Sequence, residues 1–187
     1  MLLENKRILV TGATGFIGGH LAQRLALDEG AKVTGTGRDL EKATHLNGLG
    51  IQLQKLEITD TVAVHEIVQG QDIVFHLVAA PGTSPPDVAQ EGNVSAAESL
   101  VREAAAAGVS RFVHISSMAA YGSPNQPIIR EDTSLDVEQS ARYGRTKALG
   151  ELAVREAARN LGIELTIIRP GIVSGTFVET SKPIDNT

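Results

Sequence analysis

An apolar run, RILV at 7–10, ends in TGATGFIGG and passes at once into a helix-like stretch beginning near residue 16. Gly12, Gly15 and Gly18 stand in it at the spacing G-x-x-G-x-x-G. Glycines so placed let a turn be tight, let backbone approach a pyrophosphate, and let the helix pack on its strand with its N-terminus facing the anion. On the motif alone, the alternative is a glycine-rich turn with no ligand. The flanking strand and helix supply the context that the nucleotide reading requires. No Gly-Lys-Ser/Thr follows, so a triphosphate-binding P-loop is a poor match.

The rest of the chain repeats the strand-then-helix pattern. Apolar runs at 7–10, 31–36, 51–56, 72–79, 111–116 and 163–169 read as six strands, and the segments 16–29, 39–47, 60–69, 88–107 and 143–160 read as helices. Strands that are continuously apolar rather than alternating are buried on both faces. The expectation is an α/β fold: a doubly wound, mostly parallel sheet of about six strands with helices on both sides. One domain over 1–175 accounts for this pattern, with 176–187 as a tail. Two loops stand out, APGTSPPD at 80–87 after the fourth strand and the long connection 121–142. Ligands of such sheets sit beyond the carboxyl ends of the strands, so both loops are candidate site elements.

Composition narrows the function classes. The 187 residues are 42% hydrophobic and 21% charged, a globular composition. The net charge of −5 and the lack of a basic cluster argue against nucleic acid as a partner. There is no cysteine, which excludes disulfides and thiolate chemistry. MLLENKRILV lacks the apolar core of a signal peptide, and no 18-residue apolar span occurs, so the expectation is a cytoplasmic protein without a membrane partner. The histidines at 20, 45, 65, 76 and 114 show no metal-ligand spacing. His76 and His114 lie in strand-like runs and read as satisfied core histidines.

The adenosine end of a dinucleotide site is read at the end of the second strand, where a carboxylate suits free ribose hydroxyls and an arginine suits a 2′-phosphate. The text there is TGTGRD. Gly37 falls where the carboxylate is expected and Arg38 follows, which favours NADP. The competing reading takes Asp39 as the ribose acceptor and Arg38 as a surface charge, which favours NAD.

At the other end, YGRTK places Tyr143 and Lys147 one helical turn apart on one face. Free tyrosine ionises near pH 10, roughly, and a nearby ammonium favours its phenolate. The fifth strand runs into HISSMAAYG, which delivers the hydroxyls of Ser116 and Ser117 to the sheet's carboxyl edge.

Taken in order, TGATGFIGG, VFHLVAA, GNVSAAESLVREA, RFVHISSMAAYG, YGRTKALGE and RPGIVSG resemble the extended short-chain dehydrogenase/reductase family, the NAD(P)-dependent epimerases, dehydratases and reductases with a Rossmann fold. The resemblance covers about residues 6–175. It implies Tyr143 as catalytic acid/base, Lys147 as holder of the nicotinamide ribose, and Ser117 as the hydroxyl that orients the reacting oxygen. Ser117 is preferred to Ser116 because it stands four residues before Tyr121 of the YG pair. It further implies Gly12, Gly15 and Gly18 at the pyrophosphate, followed by Phe16 and Ile17 where the helix opens. Glu57 is implied at the adenine, Ala79 and Ala80 along the adenosine, Asn93 holding the central helix and cofactor, and Arg169, Pro170 and Gly171 bordering the nicotinamide. For Asn93, Ala79 and Ala80, plain packing is the other reading. A homodimer through the helices at 88–107 and 143–160 is also implied.

Departures bear on the reaction. Met118 and Ala119 follow Ser117 where the dehydratases carry an acidic pair, which disfavours dehydration. IVSG follows RPG where the family often has an asparagine and an aromatic, which weakens sugar-nucleotide epimerisation. The chain stops at SKPIDNT, short of the substrate lobe of extended members, and is expected to be a fragment, a partner-completed protein or a compact relative. The reading is hydride transfer between NADP(H), or alternatively NAD(H), and a carbonyl/alcohol carbon. Its alternatives are a sugar-nucleotide epimerase working by transient oxidation and a non-catalytic NADP(H)-binding regulatory module.

Overall fold

The computed structural model describes residues 3–123 and 128–175; the tail expected at 176–187 lies outside the described residues. Six strands form one sheet: β1 Arg7–Thr11, β2 Lys32–Gly37, β3 Gln52–Lys55, β4 Ile73–His76, β5 Arg111–Ile115 and β6 Glu164–Ile168. Their order is β3-β2-β1-β4-β5-β6 and every pairing is parallel. The chain is therefore a doubly wound α/β fold with its order reversing between β1 and β4.

β1 shows why a continuous apolar run forms here. Ile8, Leu9 and Val10 are all fully buried, and alternate residues enter opposite layers. Ile8 and Val10 pack with Ala22 and Leu25 of α1 (Phe16–Leu27), with Val33 and with Leu46. Leu9 packs on the other side with Val74, Phe112, Leu100 of α4 (Ala96–Ala106) and Val154 of α5 (Arg142–Leu161).

The remaining helices are α2, Thr61–Ile67, and α3, Pro86–Gln90. Two segments depart from the simple helical expectation. Leu40–Leu49 is a 3₁₀ helix, kinked at Ala43, rather than an α-helix over 39–47. The helix expected at 88–107 is three pieces, α3 and α4 separated by a π-helical turn at Glu91–Ser95. No helix among the described residues is long and apolar enough to cross a membrane.

Candidate active site

A cofactor-sized cleft of about 440 Å³ lies at the reversal between β1 and β4. Gly12, Thr14 and Gly15 form its floor, Gly37, Arg38 and Glu57 one side, and Ala79, Ala80 and Glu91 the other. The glycine turn is shaped by close approach. A Cβ on Gly18 would lie 2.1 Å from the Gly12 carbonyl oxygen, so the first turn of α1 packs against the loop at a distance only glycine tolerates. Gly15 caps α1 in extended conformation without a side-chain cap, which leaves the first N–H groups of the helix for an anion. Phe16 and Ile17 open α1 and are not among the cleft-lining residues. This cradle, which added Cβ atoms would fill, fits a dinucleotide.

At the end of β2, Gly37 does more than vacate a carboxylate position. A Cβ there would fall 2.3 Å from Thr14 Cγ2, so the Thr14 side chain occupies the space that a larger residue at 37 would enter. Arg38 is exposed on the cleft wall. Asp39 accepts a hydrogen bond from the Glu41 N–H at 3.2 Å, capping the 3₁₀ helix, and its other oxygen lies 3.4 Å from Lys42 Nζ. Its carboxylate is thus engaged locally.

Asn93, 3% exposed, sits in the π turn and links two walls. Its Oδ1 accepts from the Ala80 N–H at 2.6 Å, and its Nδ2 donates to the Ala80 carbonyl at 3.3 Å and to Thr146 Oγ1 at 2.9 Å. Thr146 in turn donates to the Tyr143 carbonyl at 3.1 Å. The strand-exit loop that carries Ala79 and Ala80 is therefore fixed to the helix that carries Tyr143.

The second corner gathers at the start of α5. Ser117 caps a short 3₁₀ turn, Met118–Tyr121, with Oγ accepting from the Ala119 N–H at 3.1 Å. That turn abuts α5 at Gly144, where a Cβ would lie 2.5 Å from the Ala119 carbonyl oxygen. Lys147 is 3% exposed and donates from Nζ to the Ile115 carbonyl at 2.7 Å. Burial pushes its ammonium down to about 8, while the Glu151 carboxylate opposes that shift. Tyr143 is half-buried beside Gly82 of the loop after β4, and neighbouring Arg142 donates to the Ser84 carbonyl at 2.7 Å. Ser117, Tyr143 and Lys147 thus come from two elements in direct contact.

Arg169, expected to border the nicotinamide, is anchored by an ion pair. Its guanidinium grips fully buried Glu151, Nε to Oε2 at 2.8 Å and Nη2 to Oε1 at 2.5 Å, and its Cζ lies 5.2 Å from the Tyr121 ring centre. The Pro170 carbonyl accepts from the Met118 N–H at 3.0 Å, so 169–170 brace the turn behind Ser117, and Gly171 is exposed. His76 and His114 are buried as expected, but among the described residues His76 Nε2 and both ring nitrogens of His114 have no hydrogen-bond partner. Thr14 and Glu91 were not legible as cleft residues in the sequence. A glycine where a carboxylate was expected is the one signal that something else fills that space.

Residues 8–186 match the NAD dependent epimerase/dehydratase family. Cinnamoyl-CoA reductase 2 of Arabidopsis thaliana is 33% identical over 196 residues, which take in 97% of this chain and 58% of that protein. The UDP-glucuronic acid 4-epimerase from Bacillus cereus, solved in complex with NAD, superposes with a TM-score of 0.77 at 28% identity, over 88% of this chain and 56% of that one. A short-chain dehydrogenase/reductase superfamily protein from Agrobacterium tumefaciens, solved with bound NAD, does so with a TM-score of 0.76 at 33% identity, over 87% of this chain and 48% of that one. The chain spans about half the length of these relatives.

Proposed function

The chain belongs to the NAD-dependent epimerase/dehydratase family, and on that premise we propose that it transfers hydride between a nicotinamide dinucleotide and a carbonyl/alcohol carbon. The observation that carries this reading is the packing of the turn capped by Ser117 against the helix that carries Tyr143 and Lys147, at the Ala119–Gly144 contact, in a protein whose cleft floor is a glycine cradle. A bound nicotinamide supplies or accepts the hydride. In the reductive direction Tyr143 Oη donates a proton to the substrate oxygen, Ser117 Oγ holds that oxygen, and the Lys147 ammonium stabilises the phenolate left behind. The same residues serve an epimerase that oxidises and re-reduces one sugar carbon. Met118 and Ala119 bring no carboxylate next to Ser117, which favours simple hydride transfer over elimination. Tyr143→Phe is expected to lower hydride transfer, followed by nicotinamide absorbance over a panel of aldehydes, ketones and sugar nucleotides, at least ~10²-fold with dinucleotide affinity retained. Tight dinucleotide binding with no turnover on any member of the panel would instead favour the regulatory binding module.

NADP(H) is the proposed dinucleotide. Arg38 on the cleft wall, a glycine at 37 and an Asp39 committed to capping support recognition of a 2′-phosphate rather than of free ribose hydroxyls. Arg38→Ala is expected to weaken NADPH about ten- to a hundred-fold, the worth of one charge-assisted contact, and to leave NADH nearly unchanged. Calorimetric titration with both cofactors reads this, and tighter binding of NADH to the unaltered protein would sink the preference.

A further inference from the structure

Strand period 2 puts Val33, Gly35 and Gly37 on one face of β2, and the loop between β1 and α1 lies on that face. The Ala13 N–H donates to the Thr36 carbonyl at 2.8 Å, and a Cβ on Gly35 would come within 2.9 Å of the Ala13 methyl. Thr14 follows, one step on, over Gly37. The three atoms nearest to a Cβ on Gly37 all belong to the Thr14 side chain: Cγ2 and Oγ1 closest, then Cβ itself at 2.9 Å. A different rotamer would move the first two aside, but the third is held by the backbone, and it is nearer than packed carbons come. Gly37 carries no positive φ. What bars a side chain there is Thr14, not backbone conformation.

The end of β2 is where a dinucleotide site of this fold keeps the carboxylate that accepts ribose hydroxyls. Here the space in which that side chain would begin holds a hydroxyl from another element. Thr14 and Arg38 both line the cleft and flank Gly37, one by packing and the other by sequence. A carboxylate in this place repels a phosphate, whereas a threonine hydroxyl donates to one. Glu57 lines the same side of the cleft, but it comes from the exit of β3, one strand farther out, and does not restore the carboxylate on β2. Arg38 is exposed and carries a long side chain, so its contact costs ordering. The Thr14 hydroxyl sits on a loop already seated on the sheet, and little ordering remains to be done.

We propose that Thr14 is a specificity-determining residue for the dinucleotide: its side chain keeps position 37 a glycine, and its hydroxyl joins the Arg38 guanidinium in holding the 2′-phosphate of NADP(H). The inference rests on the reading of NADP(H) as the cofactor.

Calorimetric titration of the whole chain with NADPH and with NADH reads the hydroxyl. Thr14→Val keeps the shape and loses the donor; it is expected to weaken NADPH about ten-fold and to leave NADH nearly unchanged, while Thr14→Ser keeps the affinity for NADPH. Unchanged NADPH affinity in Thr14→Val overturns the proposal. The steric part is read at position 37. Gly37→Asp alone is expected to lower the urea midpoint and to gain no affinity for NADH. Adding Thr14→Gly clears the space, restores the midpoint and reverses the preference to NADH by about ten-fold or more. A Gly37→Asp variant as stable as the unaltered chain and selective for NADH overturns the proposal. Should that single variant fail to fold, the double variant decides: a folded chain that prefers NADH supports the proposal, and one that stays unfolded or prefers NADPH overturns it. If the unaltered protein binds NADH more tightly than NADPH, the cofactor reading falls and this inference falls with it. If it prefers NADPH and responds to Arg38→Ala but not to Thr14→Val, the cofactor reading stands and this inference alone falls.

Discussion

Lowering the pH from 7 to 5 is expected to remove about 4 kcal/mol of folding stability, an effect of the two buried histidines. The sign follows from where the protons go. In the folded protein His76 is held down to about 3 and His114 well below its ordinary 6.5, both chiefly by burial, so neither binds a proton in this range. Unfolded, both are ordinary histidines that protonate below about 6.5. The unfolded chain therefore gains two protons that the folded chain refuses. The stability from the neutral pair is fully present above about pH 6.5 and lost as pH falls below it, at roughly 1.4 kcal/mol per unit for each ring. Carboxylates cannot mimic this window. Asp72, held below the usual carboxylate range by its hydrogen bond from the Arg7 backbone N–H, begins to cost stability only below about 4. Urea midpoints measured from pH 7.5 to 5 should fall steeply, and replacing each histidine by glutamine should flatten about half of the slope. A midpoint independent of pH between 7 and 5 would mean that the rings reach water in the folded state.

The fold was largely legible because its signal is local. Each strand announced itself as a short apolar run and each crossover as a periodic stretch, and parallel pairing follows from buried strands joined by helices. The misreadings have physical causes. The fourth apolar run extends to residue 79, but the strand pairs only over Ile73–His76, because Leu77, Val78 and Ala79 leave the sheet to form an apolar cleft wall. The hydrophobic text continues for a different reason. The helix read at 88–107 hides a π turn, since the extra residue that brings Asn93 to the Ala80 backbone does not interrupt the apolar pattern. Ala43 kinks the 40–49 segment through its backbone, which composition does not register.

The candidate site was legible where a residue type carries its chemistry in itself. Tyr143, Lys147 and the hydroxyl of Ser117 stand out as a spacing, and Arg38 beside Gly37 as a substitution of cation for carboxylate. What could not be read were partnerships across the sheet. Thr14 fills the space over Gly37 from a different strand exit, and Gly150 inside α5 exists so that the helix can rest on the Asn93 carbonyl oxygen, 2.1 Å from where its Cβ would be. A glycine in mid-helix costs about 1 kcal/mol, which is itself a sign that something packs there. The ion pair of Arg169 is equally illegible, because the carboxylate that holds its guanidinium lies eighteen positions earlier on another element.

Glu151→Leu is expected to destabilise the protein by about 3–5 kcal/mol, and Arg169→Met in addition to give most of that back. Glu151 is wholly buried and accepts from both Arg155 and Arg169. The Arg169 side chain is only 8% exposed, so removing its carboxylate strands a charge with little access to water. Arg155 is the lesser concern, being 37% exposed and free to solvate. Replacing both members of the buried pair by apolar groups removes the stranded charge, and a methionine keeps contact with the Tyr121 ring. Activity should not recover with stability. The pair ties the end of β6 to α5, and the carbonyls of Ile168 and Pro170 hold the backbone of Ser116 and Met118 on either side of Ser117. Glu151 also favours the charged form of Lys147 one turn away. The double variant should therefore unfold near the urea midpoint of the unaltered chain yet bind dinucleotide with a shifted Lys147 titration. If the single change costs less than about 1 kcal/mol, as exposed pairs do, the pair is not buried in solution and its bracing role fails.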